Sequence, residues 1–149
     1  MFFKFEADFV ESLRCIPMQV RLKLDTCGIK LKLPEWHLFT QEERQTLVDS
    51  SCVTDGEIEA YRQILREMVL RHTGKPATDL AIQDNPPWLD GDNMPIDLLQ
   101  KVQDYGLNLT IEQWQNLQPE QRFALIKLSR SNHENSNFIP ALEEFSLIP

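Results

Sequence analysis

Glycine is scarce in this chain of 149 residues, with only five in all. A phosphate cradle or a dinucleotide-binding turn needs several glycines in close order, and no such grouping exists. Cysteine is scarcer still and odd in number. Cys15, Cys27 and Cys52 stand far apart and make no CxxC pair. That argues against a disulfide scaffold or a closed zinc site, and for buried free thiols. The three histidines, His37, His72 and His133, show no metal-ligand spacing, so no metal is expected. Ser129, Ser131, His133 and Glu134 bring hydrolase residue types together in sequence. Neighbours in sequence rarely build a triad, however, and no GxSxG turn is present. No catalytic residue and no cofactor is assigned, and the chain reads as a non-enzyme.

Positive charge is also in deficit. Fifteen lysines and arginines face 23 acids, a formal net charge of −8. A duplex or an anionic lipid surface would be repelled unless basic residues cluster. The one basic stretch, Arg21, Lys23, Lys30 and Lys32, is interrupted by Asp25. Neither nucleic acid nor membrane is therefore expected as a partner. No apolar run approaches the roughly 20 residues a membrane span requires. The start, Met1 to Phe9, already carries Glu6 and Asp8. A secretory signal needs a basic start and a longer apolar stretch, so a cytoplasmic protein is expected. The apolar and charged fractions, 42% and 26%, fit a globular domain.

What the chain does have is an internal repeat. Pro17 to Val48 aligns without a gap on Pro95 to Ile126. Pro17 meets Pro95, Lys23 meets Lys101, and Gly28 meets Gly106. Further on, Leu31 meets Leu109, Trp36 meets Trp114, Arg44 meets Arg122, and Leu47 meets Leu125. Proline, glycine, tryptophan and arginine interchange poorly, so matches on them carry weight. Each proline suits the first position of a helix and each glycine the left-handed position past its end. A short extended link follows. A short helix carrying the tryptophan then starts at Pro34 and at Thr110, the latter with Gln113 three residues on for a capping box. Third helices are expected over about 41–49, capped by Thr40 with Glu43, and 120–129, with Pro119 marking the start.

Two further helices complete the pattern. Thr54 and Glu57 make a capping box before a long helix. Ile58, Tyr61, Leu65, Met68 and His72 fall on one of its faces, and Gly74 and Pro76 stop it. Residues 138–145 suit a last short helix with Pro140 in its first turn. Between them, about 74–95, runs a loop rich in Pro, Asn and Asp. The expected fold is all-α: one helical domain over 1–149 with two pseudo-repeated helix–turn–short helix–helix halves, about 17–51 and 95–129.

Positions common to both halves are best explained by common packing. Trp36 and Trp114 should fill the centre of each half. Arg44 and Arg122 should tie helix ends by bonding free carbonyls or a carboxylate. With Gly28 and Gly106 they form the structural set of the repeat. Lys127 to Asn137 is the unshared stretch, dense in hydrogen-bonding groups between two helices. Its plain reading is a capped polar loop. The sharper reading makes Arg130, His133, Glu134, Asn135 and Asn137 contacts to a partner protein, since function often sits on loops held by a rigid scaffold.

Several long motifs carry a resemblance to a known family. FKFEADFVESLRCIPM (Phe3 to Met18), KLDTCGIKLKLPEW, NPPW and QRFALIKLSRSNHENSNFIPALEEF resemble the nitrate reductase-associated protein family of cyanobacterial type, over Phe2 to Phe145. The resemblance implies a non-catalytic accessory or maturation factor. It would bind and support assimilatory nitrate reductase, a molybdenum and iron–sulfur enzyme, and it supplies no catalytic residues to carry over. Two alternatives stay open. One is a carrier that itself binds a fragment of the molybdenum cofactor, and the other is a regulatory module sensing a nitrogen metabolite.

Overall fold

Capping residues set where the helices begin. Thr40, Thr54 and Thr110 each accept a hydrogen bond from the backbone N–H three residues on. The side-chain oxygens of Glu43, Glu57 and Gln113 in turn accept one from the cap's own N–H. Two orphan donors are thus satisfied at each start. In the computed structural model, which describes residues 2–7, 12–130 and 137–148, the result is a mainly α-helical protein. Among the described residues there are eight α-helices and one sheet of two two-residue strands. No helix among them is long and apolar enough to cross a membrane. The chain divides into two units, residues 1–83 and 84–149.

The first unit contains a 3-10 turn (Lys4–Glu6), α1 (Met18–Cys27), β1 (Ile29–Lys30), α2 (Leu33–Leu38), α3 (Gln41–Asp49), α4 (Asp55–Thr73) and β2 (Thr78–Asp79). Its core joins Val20 and Leu24 of α1, Trp36 of α2, Leu47 of α3, and Tyr61, Leu65 and Val69 of α4. α4 packs against α1 and α2. Gly28 ends α1 at φ 81°, and the 74–83 stretch crosses beside it: Leu80 N–H donates to Gly28 O, and Ile29 pairs with Asp79. A Cβ on Gly28 would stand 2.8 Å from Ile82 and 2.9 Å from the Leu80 carbonyl, so glycine is required twice over there.

The second unit contains a 3-10 turn (Pro87–Leu89), α5 (Ile96–Asp104), α6 (Ile111–Gln115), α7 (Pro119–Arg130) and α8 (Phe138–Glu144). α7 is the central helix. Phe123, Ala124, Leu125, Ile126 and Leu128 are all buried, and α5, α8 and the 3-10 turn pack around it. Trp88 of the turn meets Phe123 edge to face, with centroids 5.0 Å apart. The 74–95 stretch therefore contains structure on both sides of the boundary between units.

Some helix boundaries differ from the sequence expectation. α2 begins at Leu33, with Pro34 its second residue, and α8 ends at Glu144 rather than at 145. Pro17 and Pro95 are N-caps with extended backbone, one residue before the helix. A cap lies outside the intrahelical ladder, so a missing N–H is just as harmless there. α7 begins at Pro119 and runs to Arg130, one residue longer at each end than expected.

Candidate functional site

The same small construction recurs in each unit. Leu31 precedes the cap of α2 and Leu109 that of α6; Trp36 and Trp114 follow in the first turn of those helices, the spacing of a hydrophobic staple. Both tryptophans are fully buried. Trp36 Nε1–H donates to Leu13 O at 2.8 Å, and Trp114 Nε1–H donates to Asp90 O at 2.8 Å. Arg44 Nε donates to Trp36 O at 3.1 Å and its Nη2 to His37 O at 3.0 Å. Arg122 repeats this on Trp114 O at 3.1 Å and Gln115 O at 3.0 Å. The remaining guanidinium nitrogen holds the preceding chain: Leu13 O for Arg44, and Trp88 O for Arg122. The guanidinium also lies over the indole, 5.9 Å away in the first unit and 5.8 Å in the second. These groups are spent on the protein's own backbone and are not offered to a ligand.

The units differ in what surrounds this construction. In the first, Lys23 Nζ donates to Val48 O and Ser50 O at 2.7 Å each, and Tyr61 Oη donates to Leu47 O at 2.8 Å, closing α3 at Asp49. Arg62 of α4 donates to Cys27 O at 2.8 Å at the end of α1. Glu43 accepts from His72 at 2.7 Å and pairs with Arg71, fixing the end of α4 to the start of α3. Burial pushes the Glu43 carboxyl up, but the Thr40 N–H, His72 and the Arg71 charge together hold it below the ordinary carboxylate range. Cys27 and Cys52 are buried, Cys15 is half-buried, and all three are free. Burial, with Cys52 adding in the same direction, pushes the Cys27 thiol up to about 12.

Among the described residues the second unit has no helix as long as α4, and one face of α5 is exposed. Ile96, Asp97, Gln100, Gln103 and Asp104 are exposed along it, and Tyr105 follows. The ends of α5 touch both flanks of the unshared polar segment. Arg130, the last residue of α7, lies 3.8 Å from Asp97 in an exposed ion pair. Phe138, the first residue of α8, stacks on Tyr105 with centroids 5.8 Å apart and planes at 26°. α5 spans about 13 Å at 1.5 Å per residue, so Arg130 lies beside one end of α5 and Phe138 beside the other.

Of the residues singled out in that segment, Arg130 is exposed and Asn137 is half-buried at the cap of α8, with no side-chain cap bond. His133, Glu134 and Asn135 lie outside the described residues. Sequence reasoning missed the exposed face of α5. The available signal was the pairing of an isoleucine at the first position of α5 with an aspartate at its last. The first is wasted on solvent, and the second opposes the helix dipole. Among the described residues no group of three or more His, Cys, Asp or Glu is placed to hold a metal ion.

Fold and site together define a mainly α-helical protein whose repeat-matched tryptophans and arginines build its own scaffold and whose second unit presents an exposed helical face. The chain belongs to the family of conserved nitrate reductase-associated proteins, whose sequence model matches residues 2–145. Neither the curated proteins nor the solved structures gave a match to it.

Proposed function

We propose that this protein is a non-catalytic accessory factor that binds assimilatory nitrate reductase in the cytoplasm and supports its assembly or maturation. The observation that carries this reading is the family match, which spans nearly the whole chain and is described by association with nitrate reductase. The geometry is in keeping with it. Trp36, Trp114, Arg44 and Arg122, of the types most often found anchoring partners or anions, are committed to backbone carbonyls. Arg130 and the solvent face of α5 are exposed, and His133, Glu134 and Asn135 follow Arg130 in sequence, so we place the interaction surface there.

Affinity capture tests this directly. The tagged full chain, expressed at its natural level in nitrate-grown cells, should recover nitrate reductase polypeptide in the eluate. Recovery of the tagged chain alone, with the reductase left wholly in the flow-through, would contradict the proposal.

A further inference from the structure

The two matched units show which surface residues their scaffold does not require. α2 and α6 are equivalent elements, each built on a buried tryptophan. On α2 the residues turned away from Trp36 are Leu33, Pro34, His37 and Leu38, and all four are exposed. At about 100° per residue they fill one continuous arc of the helix. Leu33 and Leu38 are 45% and 52% exposed. The counterparts of the four, on and just after α6, are Ile111, Glu112, Gln115 and Asn116, again all exposed. An isoleucine answers Leu33, but a glutamate and an asparagine stand for Pro34 and Leu38. The scaffold accepts polar residues at these two places, so folding does not account for a leucine left in water at 38.

The charge around this arc is opposite to that of the chain. Lys30 and Lys32 flank Leu31, which packs on the core, so both lysines point outward where α2 begins. At the other end, His37 Nε2 lies 3.0 Å from the Arg14 carbonyl, which sets the Arg14 backbone beside the arc. Among the described residues Arg14, Lys30 and Lys32 are exposed and form no ion pair. Glu35, the acid of α2, is turned to the Lys32 N–H at 2.8 Å. The basic stretch of the sequence thus splits into two roles. Lys23 is spent on the Val48 and Ser50 carbonyls, whereas Lys30 and Lys32 are left to solvent. In the second unit the counterparts of Arg14, Lys30 and Lys32 are Asp92, Asn108 and Thr110, none of them basic.

We propose that the outer arc of α2, with Arg14, Lys30 and Lys32 around it, is a docking surface for an acidic segment of the partner protein. Leu33, Pro34 and Leu38 would receive its apolar side chains, and the three cations would meet its carboxylates. Charge complementarity names the occupant. An acidic segment gains from cations that have no internal ion-pair partner, and a basic one is repelled by them. The apolar contact supplies most of the affinity, and the charges supply rate and register. A phospholipid surface is also anionic, but it is opposed by the net charge of −8 on the whole chain.

This inference rests on the proposed association with nitrate reductase, and one titration separates the two. The full chain is titrated against purified nitrate reductase at low and at physiological ionic strength, and wild type should bind. The α2 variants carry residues that the second unit already holds at the same positions, so their melting temperatures should stay near that of wild type. Leu38→Asn should weaken binding about tenfold at both ionic strengths. Lys30→Asn combined with Lys32→Thr should weaken it about fivefold at low ionic strength and less at the higher, where salt screens exposed charges. Val53 is an exposed apolar residue just before α4, at the end remote from the contact of His72 with Phe39. Val53→Asn should bind as wild type does. Wild-type affinity in both α2 variants, or an equal loss in Val53→Asn, overturns the docking face while leaving the association intact. Cosedimentation of the wild-type chain with phosphatidylglycerol vesicles, abolished by Leu38→Asn, would assign the arc to a membrane and overturn the proposal as well. No binding of the reductase by the wild-type chain overturns the association and this inference with it.

Discussion

Arg122 holds three backbone carbonyls with one guanidinium, at 3.0 to 3.2 Å, in a site that is 8% exposed. Removing it leaves those acceptors without their charged donor in a dry environment. Arg122→Ala should therefore cost about 3 kcal/mol in a denaturant titration. Arg44→Ala, whose bonds are partly exposed, should cost about 1 kcal/mol. Arg122→Lys should recover little, because an ammonium lacks the fork that spans Trp114, Gln115 and Trp88. The two glycines make a second contrast. Both have positive φ, but a Cβ at Gly106 meets open space whereas one at Gly28 strikes Ile82 and Leu80. Gly106→Ala should cost about 1 kcal/mol for backbone strain alone, and Gly28→Ala distinctly more, by the same measurement. Glycine, proline and capping pairs act within a few residues, so their roles are legible in sequence. Glu6 is not. Its buried carboxylate accepts from the Met18 N–H twelve residues away, at the first turn of α1, and nothing local in the sequence announces that reach.

Helices were legible because their stop and start signals are local, and their lengths were less so. α3 and α7 begin alike, yet α3 halts at Asp49, where Lys23 and Tyr61 take its last carbonyls, and α7 runs on to Arg130. That difference rests on α4, which supplies Tyr61; among the described residues the second unit has no helix of that length. The joint between α3 and α4 carries a pH dependence. The Glu43 carboxyl is held below its ordinary range in the folded protein. Its contribution to stability is therefore complete above the ordinary glutamate pKa near ~4.3 and is lost as pH falls through the folded value. Glu43→Gln should flatten that part of the acid unfolding curve, as followed by helical circular dichroism. The thiols of α1 and the α3–α4 link behave as core groups. In the native protein Cys15 should react with a thiol reagent while Cys27 and Cys52 resist, and all three should react in denaturant. Prompt native labelling of Cys27 would show that this core opens more readily than its packing suggests.

At the scale of the whole molecule, the gap-free alignment and the matching tryptophan and arginine contacts favour descent from one duplicated helical module. We propose that residues 17–48 and 95–126 are its two copies. What the copies share is scaffold, and what they do not share is where function is sought: α4 in one, and the bare face of α5 with the 130–137 segment in the other. The segment was legible as a break in the repeat. The face was not, because sequence records a residue's character without its neighbours: Ile96 is as apolar as a core residue and yet is exposed. The most direct test of the central claim is nitrate reductase activity in cells that have lost this protein. A clean deletion, grown with nitrate present, should show nitrate reductase activity well below the parent strain while growth on ammonium is unchanged, and the wild-type chain should restore it. Parental nitrate reductase activity in the deletion strain would contradict the account.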